Sequence, residues 1–115
     1  MRKIKRVYEE PEKDDGYRIL VDRLWPRGLS KSKAKVDLWI KEIAPSNELR
    51  KWFSHDSEKW EGFKKKYELE LKDKDDLLNK IREIERAKGT ITLLYSAKEK
   101  DNNNAVALEG LLKKQ

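Results

Sequence analysis

With no cysteine in its 115 residues, the chain has no disulfide, no thiol nucleophile and no thiolate metal site. A single histidine, His55, likewise leaves no imidazole cluster for zinc. No apolar run approaches the ~18 residues of a membrane-crossing helix, and no charged-then-apolar leader opens the sequence, so no membrane partner and a cytoplasmic location are expected. Proline and glycine are scarce, at three and five residues, and there is neither an internal repeat nor a low-complexity segment. Nothing in the residue set calls for a metal or a cofactor.

What is present is charge, at 43% of residues, together with four tryptophans, four tyrosines and many Leu and Ile. Disordered chains lack such large apolar residues, and a chain of this length fits one domain with one core. The net charge of +6 is uneven: residues 1–36 carry 11 Lys or Arg against 6 Asp or Glu, while the remainder is close to balance at 17 against 16. A surplus of this size attracts phosphate or nucleic acid, and it also simply keeps a small domain in solution.

Strand signals alternate with helix signals. Lys3–Tyr8 mixes β-branched, aromatic and basic residues and stops at Pro11, as an edge strand does. Tyr17–Val21 and Thr90–Leu94 are almost continuously apolar, the pattern of strands covered on both faces in a parallel sheet. Val36–Ile43 satisfies both periods; the Ala44-Pro45-Ser46 turn behind it favours a strand. Ser30 caps a brief helical turn through Ala34, Ser46 caps a helix with Leu49, Trp52 and Phe53 at helical spacing, and Asp56 or Ser57 caps another carrying Trp60, Phe63, Tyr67 and Leu71. A third helix follows Asp73 and ends at Gly89, and the Asn102–Asn104 run caps the last. The expected fold is therefore α/β: a single compact domain, residues 1–115, with a small, mostly parallel sheet covered by helices.

In such sheets ligands collect beyond the carboxyl ends of the strands. Three expected exits bring together Asp22-Arg23, Pro45-Ser46, and Tyr95-Ser96-Lys98 with the asparagine run. The first continues as Val21-Asp22-Arg23-Leu24-Trp25-Pro26-Arg27-Gly28, where Pro26 forces Trp25 out of the helical region and Gly28 permits positive φ, giving an ordered bend. Arg23 and Arg27 on that bend can clamp one anion, or one of them can pair with Asp22 to fix the bend. Trp25 walls the pocket or joins the core, and Asn103 and Asn104 cap a helix or orient a ligand. Ser46 and Tyr95 complete the ligand-binding set, with Asp22 and Tyr95 as the acid-base candidates if there is turnover. His55, at a helix entrance, reads as a cap or surface residue, Lys98 as solvated, and Lys64–Lys66 as a solvated helix face.

The blocks Val21–Lys31 (VDRLWPRGLSK), Asp37–Ser46 (DLWIKEIAPS), Leu49–Phe53 with His55-Asp56, and Leu93–Ala107 (LLYSAKEKDNNNAVA) resemble the YeaO-like family of uncharacterised proteins, domain of unknown function 488. The resemblance spans nearly the whole chain. It implies one α/β domain in which the turn after the last strand faces the Asp-Arg-Leu-Trp-Pro-Arg-Gly bend, and it implies no activity. Longer members of the wider group carry a cysteine at the strand end and a Cys-His-Arg turn. Tyr95 and Asn102–Asn104 stand there in this chain, so thiol or imidazole chemistry does not carry over.

Two functional readings follow. The first is a small-ligand domain holding an anionic or phosphorylated compound between Arg23, Trp25 and Arg27 and the turn at Tyr95, Asn103 and Asn104, with turnover left open. The second is a non-enzymatic module binding nucleic acid or protein through the basic N-terminal third. Both are compatible with a monomer or a homodimer.

Overall fold

The computed structural model describes residues 1–114. Four short stretches, β1 (Arg2–Arg6), β2 (Tyr17–Leu20), β3 (Leu38–Trp39) and β4 (Ile91–Tyr95), pair side by side in the order β1-β4-β2-β3. Every pairing is parallel, with Leu93 level with Ile4 on one side and Ile19 on the other. The most continuously apolar strand, β4, is central and buried at all five positions, as a strand covered on both faces must be.

Alternation divides the apolar residues between two cores. Ile19, Val21, Ile91, Leu93 and Tyr95 point to the larger one, covered by α2 (Asn47–Phe53), α3 (Trp60–Glu70), α4 (Asp75–Lys88) and α5 (Asn104–Lys113). Leu20 and Leu94 point to a smaller core with Val7 and Ala34, closed by Trp25, Leu29, Val36 and Trp39 around α1 (Lys31–Ala34). Fully buried aliphatic side chains such as Leu93 and Ile81 each contribute about 1.5–3 kcal/mol over exposure.

Most caps fall where the sequence places them, but Asp56 caps a 3-10 turn at Ser57–Lys59 and α3 itself starts behind Lys59 without a side-chain cap. Ser30, Ser46 and Asn103 each accept a hydrogen bond from the backbone N–H three residues on, and Gly89 ends α4 at φ 86°. Other boundaries need correction. The expected strand Val36–Ile43 is only Leu38–Trp39, because β2 offers just Ile19 and Leu20 as partners before it turns out of the sheet, and Lys41–Ile43 then coils into a 3-10 turn. The first strand starts at Arg2 and stops at Arg6, not Tyr8, although the Val7 N–H still reaches the Tyr95 carbonyl at 2.7 Å. The third long helix begins at Asp75, since Leu71–Lys74 is a 3-10 connection.

One buried polar group had no counterpart in the sequence reading. Arg18, inside β2, is 4% exposed and points to the smaller core. Its guanidinium donates to the Lys35 carbonyl (3.1 Å) and the Ala34 carbonyl (2.9 Å), satisfying the end of α1, and pairs with Asp15. Asp15 also accepts from Lys5 Nζ at 3.2 Å, while its own carbonyl accepts from the Thr92 hydroxyl at 2.6 Å. Gly16 makes the turn possible: its φ is +64°, and a Cβ there would lie 2.2 Å from the Thr90 carbonyl oxygen. Among the described residues no helix is long and apolar enough to cross a membrane.

Burial alone would raise the Asp15 pKa, but hydrogen bonds from the Glu12 N–H, Lys5 and Arg18, with the Lys5 charge, hold it below its ordinary value of 3.8. A depressed carboxyl contributes stability that is complete above the unfolded value and is lost as pH falls through the folded one. Urea unfolding of the protein and of Asp15→Asn should therefore show a stability gap that is widest near neutral pH and narrows progressively below 3.8. A gap independent of pH would contradict the ion-paired role.

Candidate anion-binding cleft

At the exit of β2 both oxygens of the Asp22 carboxylate are engaged. Its Oδ2 accepts from the Ser96 N–H (2.9 Å) and the Ser96 hydroxyl (2.7 Å), and its Oδ1 accepts from Asn104 Nδ2 (2.9 Å). The Asn104 amide also donates to the Val21 carbonyl at 3.1 Å, and the Trp39 indole N–H donates to the Asp22 carbonyl at 2.7 Å. One residue thus joins the ends of β2, β3 and β4 to the start of α5. The bend and the asparagine turn do face each other.

Past Asp22 the chain forms the expected bend. Gly28 has φ 76°, and Trp25 packs edge-on against Trp39 at 5.6 Å between centroids while donating its N–H to the Leu29 carbonyl. Trp25 therefore both closes the smaller core and lines the adjoining cleft. The Tyr8 hydroxyl donates to the Arg27 carbonyl at 2.8 Å, which fixes the backbone and leaves the Arg27 side chain exposed. Arg23 pairs with no carboxylate: its Nη2 donates to the Ala44 carbonyl (3.1 Å) and its Nε to the Pro45 carbonyl (3.4 Å). Arg6, at the end of β1, stacks 4.6 Å from the Tyr8 ring centre, and its Nε donates to the Ser96 and Ala97 carbonyls at 3.1 and 3.0 Å.

These groups surround a cleft of about 580 Å³ over the carboxyl end of the sheet, within the size range of small-molecule sites. Its wall carries Arg6, Arg23, Arg27, Arg50, Lys51 and Lys98, and one carboxylate, that of Asp22. Among the described residues none of these six cations forms an ion pair. Phe53 and Phe63, 4.6 Å apart between centroids, supply an apolar portion of the wall. The arrangement creates a positive field in a partly apolar hollow, where it is less screened than on an open surface.

The structure brings Asp22, Arg23, Trp25, Arg27, Asn103 and Asn104 to this one cleft. Asn103 is 2% exposed, and its amide is taken up by the α5 cap and by the Glu99 and Lys100 carbonyls. Ser46 and Tyr95 are not on the wall. Ser46 turns toward α3, where its N–H and hydroxyl donate to the Glu70 carboxylate at 2.9 and 2.5 Å. Tyr95 lies in the larger core at 3% exposure, with its pKa raised chiefly by burial and also by Glu9, against a smaller opposing effect of Arg6. His55 reaches the rim in a left-handed conformation (φ 57°), following Ser54 at φ 44°, while Asp56 caps the next turn.

Sequence reasoning missed Arg6, Tyr8, Arg50 and Lys51; Lys98, read as solvated, is exposed and also lines the cleft. A signal for the first two was available. Arg6 to Tyr8 is itself the exit of a parallel strand, by the same rule that drew attention to the other three.

Fold and site together define a parallel α/β domain with a basic cleft at its topological exit. The family described as "Inactive DUF488-N3 subclade" matches residues 1–115. The chain belongs to this YeaO-like DUF488 family. It is 45% identical over 109 residues to the uncharacterized protein YeaO of Escherichia coli (strain K12), covering 95% of this chain and 94% of that one. It is 36% identical over 110 residues to the uncharacterized protein Rv3073c of Mycobacterium tuberculosis (strain ATCC 25618 / H37Rv), covering 96% and 92%. No solved structure matches it.

Asp22→Ala would leave the Ser96 and Asn104 donors without their acceptor, at an expected cost of about 2–4 kcal/mol in urea unfolding. Asp22→Asn keeps one acceptor oxygen and should lose less. An unchanged midpoint for the alanine variant would show that the strand exits hold together without this carboxylate.

Proposed function

We propose that the protein binds a small anionic compound of the phosphate-ester class in this cleft and acts as a binding domain in the cytoplasm without turning its ligand over. The observation that carries this reading is the gathering of unpaired cations around one hollow whose single carboxylate already accepts three internal hydrogen bonds. Guanidiniums that meet no Asp or Glu remain available to phosphate or carboxylate oxygens, which they bind through paired N–H groups.

The absence of turnover in this reading draws on two points. Asp22, the carboxylate on the wall, accepts three internal hydrogen bonds, which hold it in a joining role, not that of a general base. The matching subclade is described as inactive.

A nucleic-acid or protein-binding role for the basic N-terminal third draws less support. Arg2 of that third is paired with Glu85, and Lys5 and Arg18 with the buried Asp15. Half of the cleft's cations, Arg50, Lys51 and Lys98, come from outside it.

Calorimetric titration with inorganic phosphate tests the reading directly. Arg23→Ala should weaken binding about tenfold, the loss of one charge-assisted contact. Lys64→Ala should leave it unchanged, because Lys64 sits on α3 beside Glu61 and Trp60. Equal losses in both variants, or tight oligonucleotide binding that collapses with salt while phosphate does not bind, would favour the interaction module instead.

A further inference from the structure

The six cations of the cleft fall into two groups. Arg6 and Arg23 are held in place, each by two backbone carbonyls, at the ends of β1 and β2. These are the two strands that flank β4. A guanidinium anchored along one edge still has N–H groups on the other, here both Nη atoms of Arg6 and Nη1 of Arg23. Because it is already oriented, it gives up little rotamer entropy when an anion arrives. Two such forks suit a tetrahedral phosphoryl group, which has terminal oxygens enough for both.

Arg27, Arg50, Lys51 and Lys98 form the second group: all are exposed. Arg50 and Lys51 are consecutive on α2, whose buried residues are Leu49 and Phe53. A single phosphoryl group carries at most a double negative charge and fills a small part of about 580 Å³. It would leave most of the second group repelling one another across the hollow.

We infer that the ligand carries two or more phosphoryl groups, one seated between Arg6 and Arg23 and another engaging Arg50 and Lys51. This rests on the anion-binding reading above and narrows it to a polyphosphate-type ligand. Arg6 and Arg23 set the position of the first group. Arg50 and Lys51 supply selectivity for a second over a lone phosphate.

The test is calorimetric titration with inorganic phosphate, pyrophosphate and tripolyphosphate at one fixed ionic strength. Affinity is expected to rise by about tenfold or more from phosphate to tripolyphosphate. In Arg50→Ala/Lys51→Ala that rise should vanish while phosphate affinity stays as it was, and the exposure of both side chains keeps the fold intact, as thermal melting would verify. A double variant of equal charge loss, Lys64→Ala/Lys65→Ala, should retain the rise, which separates a located subsite from general attraction. Arg6→Lys should weaken all three ligands. Equal affinity for phosphate and tripolyphosphate, or a rise that survives in Arg50→Ala/Lys51→Ala, would overturn this inference and leave the anion-binding reading standing. Failure of all three to bind would overturn both.

Discussion

The carboxylate of Asp22 is the constraint on which the carboxyl end of the sheet depends. Parallel strands are not tied to one another by short hairpins, so their exits diverge unless something joins them. Here one side chain receives Ser96 from behind β4 and Asn104 from the first turn of α5, while its own carbonyl receives Trp39 from β3. Each of these donors is half-buried; the Ser96 groups and the Trp39 indole would lack a partner otherwise, while Asn104 would keep the Val21 carbonyl. The cleft is the hollow left above this joint, and its walls are the segments that the joint prevents from separating.

Charge is sorted by location in the same fold. Away from the cleft, three cations of the N-terminal third are spent on structure: Arg18 and Lys5 on Asp15, and Arg2 on Glu85. At the cleft none of the six cations forms an ion pair among the described residues. Mutual repulsion among unpaired cations opposes the empty folded state, and a domain of this size has little stability to spare for it. The aromatic ladder of Phe53, Trp60, Phe63 and Tyr67, with ring centres 4.6 to 5.9 Å apart, and the buried Tyr67 hydroxyl on the Ile43 carbonyl fasten α2 and α3 behind the charged wall.

Much of this was legible in the sequence where one local cause decides the outcome. Continuous apolar runs marked β2 and β4, and side-chain caps marked the starts of α1, α2 and α5. What was not legible depended on partners distant in the chain. Val36, Leu38 and Ile40 alternate as a strand should, but the neighbouring strand leaves the sheet after Leu20. Arg18 interrupts an apolar run, and only the turn at Gly16 and the end of α1 show why a cation can be buried there. The amide of Asn103 looked equally suited to a cap and to a ligand, and its caps and carbonyls took all of it. Arg6 was overlooked because an edge strand's exit was not counted with the others.

That edge strand has a further consequence. β1 reads Arg2-Lys3-Ile4-Lys5-Arg6 and has β4 on one side only, so its other side offers backbone groups to any passing extended chain. Arg2 and Lys5 are paired with acidic residues of the fold, so a second β1, or any cationic segment, would set its charges against Lys3 and Arg6. The strand that delivers Arg6 to the cleft therefore also guards the sheet against growing by edge-to-edge association, the failure most typical of small open sheets.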